Sequence, residues 1–244
     1  MSQDPVPEDV QATIQQEYKI LAEYKMVASE KVGGIYVIPS FANSLLWYGV
    51  IFVRQGMYEE GIFRFNISLP DKFPEDKTVP TVIFQNEMYH PLICPFTGTL
   101  DLSHAFPTWR CGEDHIWQLL KYVQAIFIDP LECLRTPTTT TTPNNKWPNT
   151  EAAELLLQNR AGFIAKVKEC IDNNKQHLYD EPPTDDPHYI AFEQFSDDIH
   201  GPIRQRIREG KEPILTNTTA SAASSSAKGL SWVKEGEYVP LSMD

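Results

Sequence analysis

The stretch YHPLICPFTGTLDLS, residues 89–103, contains the residue types of a thiol enzyme. His90 and Cys94 are four positions apart, and Asp101 follows the cysteine by seven positions. Cysteine is nucleophilic as a thiolate, which forms readily only where the surroundings lower its pKa from about 8.5. No Lys or Arg occurs in this stretch to lower the pKa of Cys94. We therefore interpret Cys94 as a packed or incidental thiol.

Two further pairs could do chemistry. Cys111 and His115 could share a metal ion, but two ligands do not make a site. His104 lies near Asp101 and could form an acid–base pair with it, although exposed polar loop residues are the commoner explanation. We predict neither a metal site nor a cofactor site.

The cysteines of the chain show no sign of a disulfide framework. All four are widely and irregularly spaced, which is typical of reduced thiols in an intracellular protein. Cys170 falls on the apolar face of a predicted helix, which indicates packing. Cys133 lies in a predicted loop and has no assigned role.

Charge and hydropathy exclude several classes of partner. Lys and Arg total 21 against 33 Asp and Glu, so the formal net charge is -12. Such a surface repels phosphate backbones, and we expect no nucleic-acid partner. The most apolar run, LLWYGVIFV at 45–53, is too short for a transmembrane segment of about 20 residues and is interpreted as a buried strand. No secretory signal follows Met1, so we expect a cytoplasmic protein.

Helical and strand periods divide the chain into elements. Val10, Ile14, Tyr18 and Leu21 recur at helical spacing and predict a helix over 8–31. Four β-rich runs follow, separated by Gly, Asn and Pro, and their short connections predict an antiparallel meander. The runs are GIYVIPSF, LLWYGVIFVRQ, GIFRFNISLP and PTVIFQ.

The second half begins with an aperiodic segment over 89–112, which we expect to lie irregularly across the sheet. Helical spacing returns at 114–128, where Glu113 and Asp114 suit the first turn. A last helix is predicted from about Thr150 to about Asp172. The predicted domains are an N-terminal lead at 1–9, a folded domain at 10–175 and a largely irregular, low-complexity extension at 176–244.

Several motifs together resemble the ubiquitin-conjugating family. They are FPEDKTVPTVIFQNEMYHP, the hairpin MYEEGIFRF, Trp109 and NTEAAELL. The resemblance covers about residues 10–172 and implies an α+β fold with an N-terminal helix, a four-stranded antiparallel meander and C-terminal helices.

Active members of that family carry His-Pro-Asn and, after a Gly turn, a Cys that accepts ubiquitin as a thioester. The resemblance puts Leu92 at the Asn position and Asp101 at the Cys position. A carboxylate would give a mixed anhydride that water hydrolyses, and leucine cannot replace an amide donor typically worth about 3 kcal/mol. The resemblance therefore implies a pseudoenzyme with no catalytic residue.

Among branches without the cysteine, the chain is most similar to the fused-toes branch, also called AKT-interacting protein. The similarity lies in EYKILAEY, in Tyr-His-Pro-Leu and in the long C-terminal extension. It implies an adaptor that joins Hook-type coiled-coil proteins and a companion scaffold, linking vesicles to dynein. The alternative is a cofactor of an active conjugating enzyme in ubiquitin chain formation, with ubiquitin or that enzyme as partner.

Two segments of the extension could contact partners. IRQRIRE could dock on a partner helix or be a solvated helix. Trp232, Val233 and Tyr238 could either fold back on the domain or mark a partner site. The sequence does not single out partner-binding residues.

Overall fold

A computed structural model of the chain describes residues 8–135 and 147–211. The chain forms two compact units, Met1–Phe192 and Glu193–Asp244. The first unit has the predicted α+β order of a helix, four strands and further helices. The Thr-rich loop and the segment with Trp232 lie outside the described residues, as does most of the N-terminal lead.

The four strands form one antiparallel meander, as predicted. The sheet order is β1-β2-β3-β4, so every strand pairs with its neighbour in sequence. In β3, Phe63, Phe65 and Ile67 are buried beneath the helices, in keeping with the predicted alternation. The strands are β1 (Ile35–Pro39), β2 (Leu46–Phe52), β3 (Ile62–Ser68) and β4 (Thr81–Phe84).

The helices differ from the prediction in two respects, and the first is that the last predicted helix is two helices. The chain bends at Asn159, whose side-chain oxygen accepts a hydrogen bond from the Gly162 N–H and begins a new helix. The short α3 was not predicted. The helices of the first unit are α1 (Glu8–Glu30), α2 (Ile116–Ile128), α3 (Pro130–Arg135), α4 (Thr150–Gln158) and α5 (Arg160–Gln176).

The N-terminus of α2 corrects a prediction. Glu113 and Asp114 precede the helix, and Asp114 instead binds the Arg110 side chain at 2.6 and 3.0 Å. The carboxylate at the helix end is Glu23 of α1, which accepts the Ile116 N–H at 3.0 Å. Because this carboxylate comes from 93 positions away, it also joins α1 to α2.

The apolar stripe that predicted α1 is not its buried face. Val10, Ile14 and Tyr18 are all exposed, whereas Ile20 and Glu23 are buried against the domain. The helix itself is confirmed. It therefore has two faces with apolar residues, and the one near its N-terminus contacts solvent.

After α5, residues 177–192 run back across the outer face of the sheet, the face turned away from the helices. We call this segment the strap. It contains no helix or strand, but it buries Tyr48 and Val50, whose side chains point outward from β2. The strap belongs to the first compact unit although it lies beyond the predicted domain end at 175. That boundary stays a prediction.

The described part of the second unit, residues 193–211, contains one helix, α6 (Asp197–Arg208), which includes most of IRQRIRE. None of its residues is buried. Across residues 8–135 and 147–211, no helix is both long enough and apolar enough to cross a membrane.

Candidate functional site

The site predicted from sequence lies in the irregular segment between β4 and α2. Two isolated bridges, Ile83 to Thr99 and Ile93 to Leu100, fold this segment into a loop at the edge of the sheet. Gly98 makes the turn with a φ of +69°. A Cβ at that position would lie 2.3 Å from the Phe84 carbonyl oxygen, so only glycine fits.

This turn brings together the two positions at which the resemblance places the lost groups. The Asp101 N–H donates to the Leu92 carbonyl oxygen at 2.8 Å. Leu92 is fully buried in the core, whereas Asp101 is half-buried and accepts the Ser103 N–H at 2.9 Å. Leu92 thus contributes packing to the core, and Asp101 presents a carboxylate near the surface.

His90 is a structural residue with no freedom to act as a base. Its ring is fully buried, Nδ1 accepts the Leu92 N–H at 3.1 Å, and Nε2 lies 3.1 Å from the Ile126 carbonyl oxygen. Because a carbonyl only accepts, the proton is on Nε2. Burial lowers the pKa of His90 to about 4, so the imidazole is neutral at pH 7.

Cys94 is half-buried in the same turn, and among the residues that the structure describes no cationic group or base activates it. Hydrogen bonds from the Thr97 hydroxyl and from the N–H groups of Phe96 and Thr97 lower its pKa. Charged residues near Cys94 in the sequence do not indicate this lowered pKa, because it comes from hydrogen-bond donors of Phe96 and Thr97 that the turn positions. Both ring nitrogens of His90 are occupied, so that histidine cannot take the proton of Cys94.

The proposed pairing of His104 with Asp101 is not formed. Within the part of the chain that the structure describes, no hydrogen bond joins them. The His104 ring lies 6.2 Å from that of Trp147, and its Nε2 is buried without a partner. Burial raises the pKa of Tyr122, and electrostatic interactions with Cys133 and Asp101 raise it further. Asp101 therefore lies near the Tyr122 phenol and forms no hydrogen bond with His104.

Cys111 and His115 do not form a metal site either. His115 Nδ1 lies 2.8 Å from the Glu23 carboxylate, and Cys111 is exposed. Across residues 8–135 and 147–211, no group of three or more His, Cys, Asp or Glu residues could hold a metal ion. Burial raises the pKa of both other thiols, to about 11 for Cys133, and Cys170 is buried as predicted.

The geometry described above is that of a ubiquitin-conjugating fold. Residues 14–171 match the family described as ubiquitin-conjugating enzyme. A putative ubiquitin conjugating enzyme from Plasmodium yoelii is similar in structure, with a TM-score of 0.52, 24% identity and coverage of 65% of this chain and 94% of that one. The chain belongs to the ubiquitin-conjugating enzyme family.

Closer relatives place it within one branch of that family. Protein crossbronx of Drosophila mojavensis is 60% identical over 236 residues, covering 96% of this chain and 94% of that protein. Protein crossbronx of Drosophila persimilis is 58% identical over 232 residues, covering 95% and 93%. The chain is thus a variant within the fused-toes and crossbronx branch, as its sequence predicted.

His90 should make stability depend on pH. Its pKa is about 4 in the folded chain against an ordinary value of 6.5. Its contribution is therefore fully present above pH 6.5 and is lost as the pH falls from there to about 4, at a cost of about 3 kcal/mol. Urea unfolding at pH 7.5, 6.5, 5.5 and 4.5 should show a falling free energy of unfolding in the wild type. The His90→Gln variant should lack this part of the decrease. His177→Gln, which changes an exposed histidine, should behave as wild type; equal slopes in all three proteins would contradict the assignment.

The cysteines should differ in reactivity. At pH 7.5 we expect rapid alkylation of Cys94 and slow alkylation of Cys133, of which a pKa of about 11 leaves about three in ten thousand as thiolate. Thr97→Val removes the hydroxyl that helps to lower the pKa of Cys94, so alkylation of Cys94 should be slower in this variant than in the wild type. Exposed Cys111 is the internal control. Unchanged Cys94 labelling in Thr97→Val would show that the hydroxyl does not stabilise the thiolate.

Proposed function

We propose that the chain is a catalytically inactive, ubiquitin-conjugating-enzyme-like adaptor. The observation that carries the proposal is the pair Leu92 and Asp101, which are joined by one backbone hydrogen bond in the turn where the family resemblance expects Asn and the nucleophilic Cys. Asp101 would stand in place of the thioester-forming thiol, and Leu92 in place of the amide donor.

Neither substitution leaves the transfer chemistry intact. An acyl group on Asp101 would be a mixed anhydride, which water hydrolyses instead of storing it for transfer. Leu92 is fully buried and has no polar atom with which to stabilise a developing oxyanion. Cys94 is the only described thiol with a lowered pKa, but no base contacts it.

The proposed partners are a Hook-type coiled coil and its companion scaffold, in a cytoplasmic complex that sits peripherally on vesicles through these partners. Support comes from the resemblance and from α1, whose exposed Ile14 and Tyr18 and half-buried Leu21 follow the four–three spacing of a coiled-coil seam. Exposed apolar residues in such a row are suited to another helix.

The second candidate is a ubiquitin-pathway cofactor that assists an active conjugating enzyme in chain formation. Membership of the ubiquitin-conjugating family favours it, since the fold alone provides surfaces used in that pathway. Direct binding of ubiquitin or of an active conjugating enzyme would distinguish it from the adaptor.

A charging assay tests the loss of catalysis. The purified chain, ubiquitin, its activating enzyme and ATP should give no thiol-sensitive adduct on a non-reducing gel, because Asp101 cannot form a thioester. Cys94→Ser should be indistinguishable from wild type. An adduct that forms in wild type and disappears in Cys94→Ser would mean that Cys94 is a displaced nucleophile.

Binding to a purified Hook-type coiled coil tests the adaptor role. Ile14→Asp places a charge in the exposed seam of α1 and should weaken binding about tenfold or more, since it would have to be buried in the contact. Gln15→Asp makes the same charge change on a polar, exposed neighbour and should have little effect. Stimulated ubiquitin chain formation by an active enzyme, without coiled-coil binding, would favour the second candidate.

A further inference from the structure

The outer face of the sheet is apolar where an exposed sheet face would be polar. Tyr48, Val50 and Phe52 point outward from β2, while Trp47 and Ile51 point into the core. Tyr48 is 7% and Val50 2% exposed, although the helices α1 to α5 of the first unit pack on the opposite face. The strap covers them.

Arg64, which points outward from β3, holds the strap at two places. Its Nη2 donates to the Leu178 carbonyl oxygen at 2.7 Å, and its Nε donates to the Ile190 carbonyl oxygen at 3.0 Å. Its guanidinium also lies 4.8 Å from the centre of the Phe192 ring. One side chain of the sheet thus recognises the main chain at both ends of the strap.

Asp186 holds the middle of the strap at the other edge of the sheet. Its carboxylate accepts the Ser40 hydroxyl at 2.5 Å and the Phe41 N–H at 3.1 and 3.2 Å. Next to it, His188 Nδ1 donates to the Pro39 carbonyl oxygen at 2.8 Å. The bonds to the Asp186 carboxylate are charge-assisted and are therefore stronger than bonds between neutral groups.

Between these polar contacts, two aromatic rings of the strap pack on the sheet. Tyr189 meets Tyr48 edge to face at 5.2 Å, and its hydroxyl donates to Gln85 at 2.7 Å. Phe192 meets Phe52 at 6.0 Å. Tyr189 and Phe192 of the strap therefore contact separate places on the outer face of the sheet.

The strap is held in the manner of a bound peptide and not of a fifth strand. In the described residues, no backbone-to-backbone hydrogen bond joins it to the sheet. The polar contacts run through side chains of one partner or the other. A carboxylate in a pocket of N–H and O–H donors, together with separate aromatic contacts, is typical of peptide recognition.

We propose that the outer face of the sheet is a binding surface for an extended peptide, and that the strap is its intramolecular ligand. The partner peptide would carry a carboxylate, then a His and an aromatic residue two and three positions later, and a second aromatic residue six positions after the carboxylate. Asp186, His188, Tyr189 and Phe192 have this spacing. The inference goes beyond the adaptor role and does not depend on it, because purified chain and peptide suffice to test it.

The experiment uses the full chain and a fluorescent peptide of the strap sequence, HLYDEPPTDDPHYIAF. Asp186→Ala in the chain weakens the intramolecular strap but leaves Ser40 and Arg64 free to bind the peptide. We expect this variant to bind the wild-type peptide about tenfold more tightly than the wild-type chain does. Amide exchange across 177–192 should rise in parallel.

Asp185→Ala is the matched control, because Asp185 is exposed and lies beside the anchor. It should bind peptide as the wild-type chain does, and a peptide with the Asp186→Ala change should bind neither protein. Tyr189→Ala in the chain is a second way to loosen the strap if Asp186→Ala does not fold. Faster exchange without peptide binding would overturn the proposal, and so would unchanged exchange in both strap variants.

Discussion

The geometry of the candidate site depends on one buried, neutral imidazole. An irregular segment can be buried only if its backbone groups find partners, and between β4 and α2 two isolated bridges provide only some of them. His90 resolves this by accepting the Leu92 N–H and donating to Ile126 of α2. The Leu92 carbonyl oxygen accepts the Asp101 N–H, so His90 links the turn to α2 in addition to the backbone bonds that join the turn to β4.

This dependence explains how the scaffold can persist if its chemistry is lost, as we propose. His90, Gly98 and the backbone of Leu92 help to hold the turn, and none of them requires an amide at position 92 or a thiol at position 101. Leucine at 92 adds apolar burial to the core, and a carboxylate at 101 remains partly in water, where its charge costs little. Selection for stability alone would therefore not oppose either substitution.

Local periodicity predicted the meander, α2 and the helical nature of α1, because the burial of one face repeats at a fixed spacing. Local periodicity gave a wrong prediction where a residue far away in the sequence determines the contact. Glu23 replaces the carboxylates expected at the start of α2, and no local pattern indicates that a residue 93 positions away will do so. The stripe of Val10, Ile14 and Tyr18 was correct as a helix signal but not as a core signal, because spacing does not say which face docks. Of the site, the sequence predicted the turn at Gly98, and the assignment of Leu92 and Asp101 to the Asn and Cys positions stays a prediction. The hydrogen bonds that lower the pKa of Cys94 depend on a backbone conformation that spacing cannot predict.

The strap is a second feature that the sequence predicts only in part. β2 is apolar at nearly every position, a pattern that in sheets indicates cover on both faces. The sequence thus indicated that something lies over Tyr48 and Val50, but the covering residues are among Pro, Asp and Glu in a segment without period. Their hold on the sheet comes from Asp186 and Arg64, two side chains whose partners are specific atoms and not an apolar face. Such contacts can be exchanged for equivalent ones from another chain without disturbing the core, because the core lies on the opposite, inner face of the sheet. If the chain is the adaptor that we propose, such a surface would give it a contact with a partner that leaves the packing of the core unchanged.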